Sequence, residues 1–274
     1  MRRLVAHPAA RTAASGLAVP LILLFFWELS GRLGWVRPTL LPPPSAVLAT
    51  VIDLAQRGEL WTHVEITLIR VLLGFLLGAV AATFFGALTG YSLLWRRLLD
   101  PMLQGLRAIP SIAWVPLFIL WLGIFEVSKV TLIAVGVFFP VYLNLMTGIA
   151  DVDRRLVEVG RIYGFSSLTL VRRILVPATL PAYITGLRGG LGLGWMFVVA
   201  AEMMGASEGL GFLLIDGQQT GRPAVIIASI LLFAILGKLT DLALALFGRR
   251  ALVWQDSFGN TESHARDQRA LQAV

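Results

Sequence analysis

The segment Val71–Trp95 runs without a single Asp, Glu, Lys, Arg or His, and this constrains the fold more than any other feature of the chain. About 20 mostly apolar residues of helix cross the roughly 30 Å of a bilayer's hydrocarbon core, and a helix satisfies its own backbone there. Five further runs follow the same logic. They are about Ala14–Trp35, with Glu28 and Arg32 near its outer end; Ile109–Phe125, with a flank reaching back to 105; Val130–Ala150; about Ala182–Met204, interrupted by Arg188; and about Ala224–Phe247, with Lys238 and Asp241 near its end. The expectation is an all-α membrane protein with six transmembrane helices. Residues 1–13 form a cytoplasmic N-terminus, 14–254 the transmembrane domain and 255–274 a polar, frayed cytoplasmic tail. Arg2 and Arg3 ahead of the first run look like the start of a secretory signal, but a cleaved signal precedes a soluble domain and here five more spans follow.

Of the 274 residues, 57% are hydrophobic and 14% charged, too little polar surface for a soluble domain of this size. There is no cysteine, so disulfides and thiolate metal sites are excluded. The net charge of +7 does not point to nucleic acid, because the arginines lie in short clusters between apolar runs. With the N-terminus inside, fourteen Lys and Arg fall in cytoplasmic segments and four (Arg37, Arg57, Lys129 and Arg222) in outer ones. That bias predicts both termini on the cytoplasmic side of the membrane.

In the first outer loop, Pro42–Pro44 and Ser45, a candidate N-cap, precede a short surface helix over Ala46–Ala55. Small residues recur every fourth position as Gly74, Gly78, Ala82, Gly86 and Gly90, and again as Gly186, Gly190 and Gly194. Such stripes let helices approach closely. They are read first as helix packing within one subunit, with a face lining a translocation path or a dimer seam as the alternative.

The longest inner loop, 151–181, is also the most charged. Leu156, Val159 and Tyr163 recur at helical spacing while Arg155, Glu158 and Arg161 point elsewhere, which predicts an amphipathic helix ended by Gly164. A second helix follows over Ser166–Val176, capped by its serines and stopped before Pro177. Within this loop, Glu158-Val-Gly160, three residues, Gly164, nine residues and Ile174-Leu-Val-Pro177 resemble the signature of binding-protein-dependent ABC importer permeases: Glu-Ala-Ala, three residues, Gly, nine residues, Ile-x-Leu-Pro. Val159 and Gly160 replace the two alanines and Val176 the leucine. Leu41-Pro-Pro-Pro-Ser45, Ile109-Pro-Ser-Ile-Ala-Trp-Val-Pro116 and Ala201-Glu202 with Gly209-Leu-Gly211 are similar to the aliphatic sulfonate, taurine and nitrate branch, and most to aliphatic sulfonate permeases.

The resemblance implies a type I importer (MetI-like) fold. Two copies of the chain would pair with two cytoplasmic ATPase subunits and receive solute from a periplasmic solute-binding protein. Glu158, Gly160, Gly164, Ile174 and Pro177 would form the coupling helix that docks on the ATPase, which would itself hold ATP and Mg. The solute implied is an aliphatic sulfonate, with taurine, nitrate, bicarbonate or a thiamine precursor as alternatives. The chain is not expected to be an enzyme: its only Gly-Lys pair, Gly237-Lys238, is followed by Leu239 and lacks the phosphate-binding pattern. His7, His63 and His264 are too scattered for a metal. A secondary carrier usually has more spans, repeated halves and carboxylates at mid-depth, and no repeating halves are seen here.

Ionisable residues at membrane depth are functional candidates. Lys238 and Asp241, three apart, are expected to pair with each other. Arg188 either snorkels to the interface or points into the dimer cavity, where its cation would favour an oxyanion. Arg188 and Glu202 are assigned to the substrate path, and Arg70 and Arg107 to interfacial anchoring.

Overall fold

A computed structural model describes residues 8–254, with side chains from Ala18 onward apart from Ser111. Residues 1–7 and the expected tail 255–274, with His7 and His264, lie outside the described residues. All regular elements among the described residues are helical: α1 (Pro8–Arg32), α2 (Pro44–Gln56), α3 (Glu59–Tyr91), α4 (Leu93–Ala108), α5 (Val115–Leu122), α6 (Glu126–Ala150), α7 (Arg154–Ile162), α8 (Ser167–Leu170), α9 (Val176–Met203), α10 (Leu210–Gln219) and α11 (Pro223–Ala251). The chain forms two compact units. Among the described residues, one takes 8–78, Arg107–Val137 and Gly192–Lys238; the other takes Ala79–Leu106, Phe138–Leu191 and 239–254.

Among the described residues four helices are long and apolar enough to cross a membrane: α3, α6, the continuous stretch Ser167–Met203 and α11. A fifth is reached if α4 and Ile112–Leu122 count as one broken span. The expected third span over Ile109–Phe125 is therefore not a single rod. Pro110 sits at φ −54°, ψ 122°, outside helical geometry, a one-turn 3-10 segment follows at Ser111–Trp114, and α5 has 8 residues. At about 1.5 Å per residue, α5 alone cannot bridge the hydrocarbon.

The expected second span is found shifted. α3 begins at Glu59 and ends at Tyr91, so its first turns carry polar residues that a search for uncharged runs leaves out. Its small-residue stripe packs inside the subunit. A Cβ on Gly74 would lie 2.5 Å from Ile133 Cγ2 and one on Gly90 2.9 Å from Ile149 Cβ, so α3 lies against α6 at distances only glycine permits. Gly186 and Gly194 of α9 meet α6 in the same way, near Asn144 and Val137 respectively.

α2 starts at Pro44 with Pro43 as its N-cap, so Ser45 is inside the helix and is not the cap expected. Glu28 of α1 serves that end. Its carboxylate accepts the Ser45 N–H at 3.0 Å and the Ser45 hydroxyl at 2.9 Å, satisfying free donors at a helix start from outside the helix.

Candidate functional site

The inner loop folds as a bent pair of short helices. Asp153 caps α7 by accepting the Arg155 N–H at 2.9 Å, and Ser166 caps α8 by accepting the Thr169 N–H at 3.3 Å. Between them Gly164 takes φ +72°, a left-handed position that glycine enters without a Cβ penalty. The bend closes through Phe165 N–H to Gly160 C=O at 3.0 Å and Gly164 N–H to Arg161 C=O at 2.9 Å, the pattern of a glycine-terminated helix. Gly160 is buried. A Cβ there would stand 2.5 Å from Leu170 Cδ2 and 2.7 Å from Ile174 Cδ1, so a side chain at this position would have to push the ends of those two side chains aside. Arg173 lies over the Phe165 ring, 5.6 Å from its centroid.

The second helix does not stop before Pro177. Val171–Leu175 is a π turn in which the Val176 N–H bonds to Val171 C=O, five residues back, and α9 runs on through Pro177 and Pro181. The wider turn interrupts the four-residue ladder where the proline ring enters, so the loop passes into the span without a break in helix. The amphipathic spacing held, but its apolar side faces out: Ile162 is 84% and Tyr163 76% exposed, with Leu156 and Val159 about half exposed. Glu158 is exposed among them. Glu158, Gly160, Gly164 and Ile174 thus belong to one rigid elbow, and Pro177 opens the span that carries it.

Glu202 and Arg188 stand elsewhere. Glu202, near the end of α9, is 1% exposed. It accepts from Thr67 Oγ1 at 2.8 Å, Arg70 Nη1 at 2.9 Å and the Gly211 N–H at 2.8 Å. The turn Gly209–Gly211 wraps this carboxylate. Gly209 N–H donates to His63 Nδ1 and Leu210 N–H to Thr67 Oγ1, both at 2.9 Å. Arg70 is not an interfacial anchor. It is 4% exposed and also reaches both oxygens of Glu126 at 2.6 Å and the Glu208 carbonyl at 2.7 Å. The expectation treated a charge at the end of an apolar run as facing water, whereas its partners lie on α6 and at the α9–α10 turn. His63, Thr67 and Arg70 escaped notice as a group, although their spacing of four and three residues puts them on one face of α3, in line with Gly74 and Gly78.

Arg188 neither snorkels alone nor stands free in a cavity. Its Nε and Nη2 donate to Oδ1 and Oδ2 of Asp241 at 2.8 and 2.9 Å. The i,i+3 spacing gave Asp241 to Lys238; the structure gives it to Arg188 on α9, whose planar fork matches both carboxylate oxygens.

Residues 68–253 match the family described as binding-protein-dependent transport system inner membrane component. The chain is 42% identical over 243 residues to a protein of Bacillus subtilis named as an aliphatic sulfonates transport permease, SsuC, covering 89% of this chain and 88% of that one. It is 37% identical over 240 residues to the SsuC of Escherichia coli, covering 88% and 91%. Among solved structures, a chain from the inward-facing MetNI methionine ABC transporter superposes with a TM-score of 0.61 at 20% identity, covering 72% of this chain and 98% of that one. That likeness speaks for the fold, a type I importer permease fold, and the sequence matches speak for the lineage. The chain is a member of the family of inner membrane components of binding-protein-dependent transport systems.

Proposed function

We infer that the chain is the membrane permease of an ATP-driven importer and that it passes a small anion, an aliphatic sulfonate, inward across the bacterial inner membrane. The observation that carries this reading is the elbow of α7, Gly164 and α8. It is capped at both starts, closed by backbone bonds and continuous with α9, yet it leaves Leu156, Val159, Ile162 and Tyr163 uncovered. A stiff element with an apolar face suits a partner that pushes, since rigid bodies transmit displacement while loops absorb it. In this reading the partner is a cytoplasmic ATPase that binds ATP and Mg, and Glu158 and Gly164 sit at the contact. Two copies of the chain form the path, a periplasmic solute-binding protein delivers the solute, and both termini are cytoplasmic. The sulfonate follows from the names of the SsuC relatives.

Arg188 and Glu202 act on the path through the elements they hold, since each is engaged by a countercharge and so presents no free charge to a passing anion. The test is uptake of a labelled alkanesulfonate into vesicles carrying the permease with its ATPase and binding protein. ATP-dependent accumulation that disappears with Gly164→Arg, while the variant still inserts, is the expected result. Uptake that continues without ATP, or unimpaired uptake by the variant, overturns it.

A further inference from the structure

Arg188 and Asp241 sit where a charge is least at home. Arg188 is 12 residues past Val176, the start of α9, and Asp241 is 10 residues short of Ala251, the end of α11. The two helices run antiparallel, since a Cβ on Gly248 would lie 2.8 Å from Ile184 Cγ2. At about 1.5 Å per residue each charge stands roughly 15–18 Å from its nearer helix end, close to the middle of a hydrocarbon core roughly 30 Å thick. Yet the two side chains are 45% and 30% exposed. Beside Arg188 on α9, Thr185, Gly189 and Gly192 are exposed too, and so is Lys238, one turn before Asp241 on α11. Hydrocarbon cannot solvate such groups, and ionisable residues inside spanning helices face protein or a water-filled cavity.

The pair leaves Arg188 half used. A guanidinium carries five N–H donors. The Nε–Nη2 edge holds Asp241 at 2.8 and 2.9 Å, and Nη1 makes no hydrogen bond among the described residues. The open Nη1–Nη2 edge matches two oxygens of a further oxyanion, as the other edge matches Asp241. Asp241 cancels the charge of Arg188, and with Lys238 the three groups sum to a single positive charge, which favours an anion over a cation.

We propose that this face of α9 lines a water-filled path and that the open edge of Arg188 is a waypoint on it, donating two hydrogen bonds to the sulfonate oxygens of the passing solute. The inference rests on the importer reading above and names the group that meets the anion. Asp241 makes the waypoint passable: a bare arginine would hold a sulfonate firmly, whereas a clamped one offers donors without net charge. The glycine at 189 leaves room beside the guanidinium for the anion to approach.

The chain has no cysteine, so a single introduced thiol reports on this face without background. The full-length permease, assembled with its partners in nanodiscs, is treated with two methanethiosulfonates, one bearing a sulfonatoethyl group and one a trimethylammonioethyl group, each rate being divided by that with free cysteine. Thr185→Cys and Gly189→Cys are expected to react about tenfold faster with the sulfonate reagent, the ratio that corresponds to one charge-assisted bond, and ethanesulfonate is expected to slow that reaction. Arg188→Gln is expected to bring the two rates together. Leu76→Cys, at an exposed apolar position of α3, is expected to react with neither. Thiols at 185 and 189 as inert as the one at 76 would set this face against lipid or a second copy and overturn the proposal. Equal rates with both reagents while Arg188 is intact, no protection by ethanesulfonate, or a preference that survives Arg188→Gln would overturn it as well. Labelling needs neither ATP nor transport, so its failure is distinct from failure of the uptake assay that tests the importer reading.

Discussion

The Arg70 guanidinium meets the Glu202 carboxylate at 2.9 Å, with the two side chains 5% and 0% exposed. They are separated by 132 positions in the chain, and around them gather Thr67, Glu126 and the backbone of the Gly209–Gly211 turn. Breaking a buried pair from one side strands a charge and costs about 3–5 kcal/mol, whereas replacing both partners with apolar residues is far milder. Arg70→Met alone, and Glu202→Leu alone, are each expected to destabilise the purified protein strongly, and the double variant less than the sum of the two. Thermal unfolding followed by size-exclusion chromatography tests this, and additive losses would contradict it.

The same carboxylate explains two glycines. A Cβ on Gly209 would lie 2.6 Å from the Glu202 carboxyl carbon, at φ +121°, and one on Gly211 2.6 Å from Glu202 Cβ. Gly209→Ala combines backbone strain of about 1–3 kcal/mol with displacement of a bonded carboxylate. The expected result is faster proteolysis at the α9–α10 turn than in wild type. Gly192→Ala, where a Cβ meets open space, serves as the control and is expected to leave the rate unchanged.

At the elbow, Gly160 stands where the resembling pattern has alanine, and the structure gives the reason: the ends of the Leu170 and Ile174 side chains occupy the place of its Cβ. Gly160→Ala overpacks this contact by about 1–3 kcal/mol and tilts α7 on α8. Coupled uptake is expected to fall while membrane insertion stays normal, and Leu170→Val, by removing a methylene at the contact, is expected to restore part of it. A double variant no better than Gly160→Ala would show that the packing is not what couples.

The elbow was legible because its determinants are local: Ser166 and Gly164 cap and bend the chain within a few residues of the helices they define, and Asp153, which caps α7, is equally local though it was not singled out. The Arg70 knot was not, because its partners come from three distant segments and hydropathy treats a charge as a boundary. Had the face His63, Thr67, Arg70, Gly74 and Gly78 been read as one stripe, it would have marked the start of α3 and the close packing that follows. The broken third span was half visible. Ile109 precedes Pro110, and a residue before proline is held out of the helical region, but the apolar composition of 112–122 conceals the break. The helix running through Pro177 had no signal of its own, since a π turn is a response to packing and to the ring, not a sequence pattern. Asp241 went to Arg188 instead of Lys238 because spacing along one helix says nothing of what the adjacent helix presents.

The exposed face of α7 gives the last prediction. Ile162 and Tyr163 are 84% and 76% exposed, so replacing either with glutamate removes little internal packing beyond the Tyr163 ring's 6.4 Å approach to Phe165 and is expected to shift stability by less than about 1 kcal/mol. If this face is the ATPase contact, a charge at its centre must be desolvated on docking, and complex formation falls by orders of magnitude although the permease is intact. Tyr163→Glu is therefore expected to insert and unfold like wild type, to lose co-purification with the ATPase, and to abolish ATP-dependent uptake. Leu76→Glu, at an exposed apolar position (61%) on the membrane-crossing part of α3, is expected to fail at insertion instead, because there the neighbouring phase is lipid and a charge has nowhere to hydrate. The contrast between the two variants separates a surface made for a protein from one made for the bilayer.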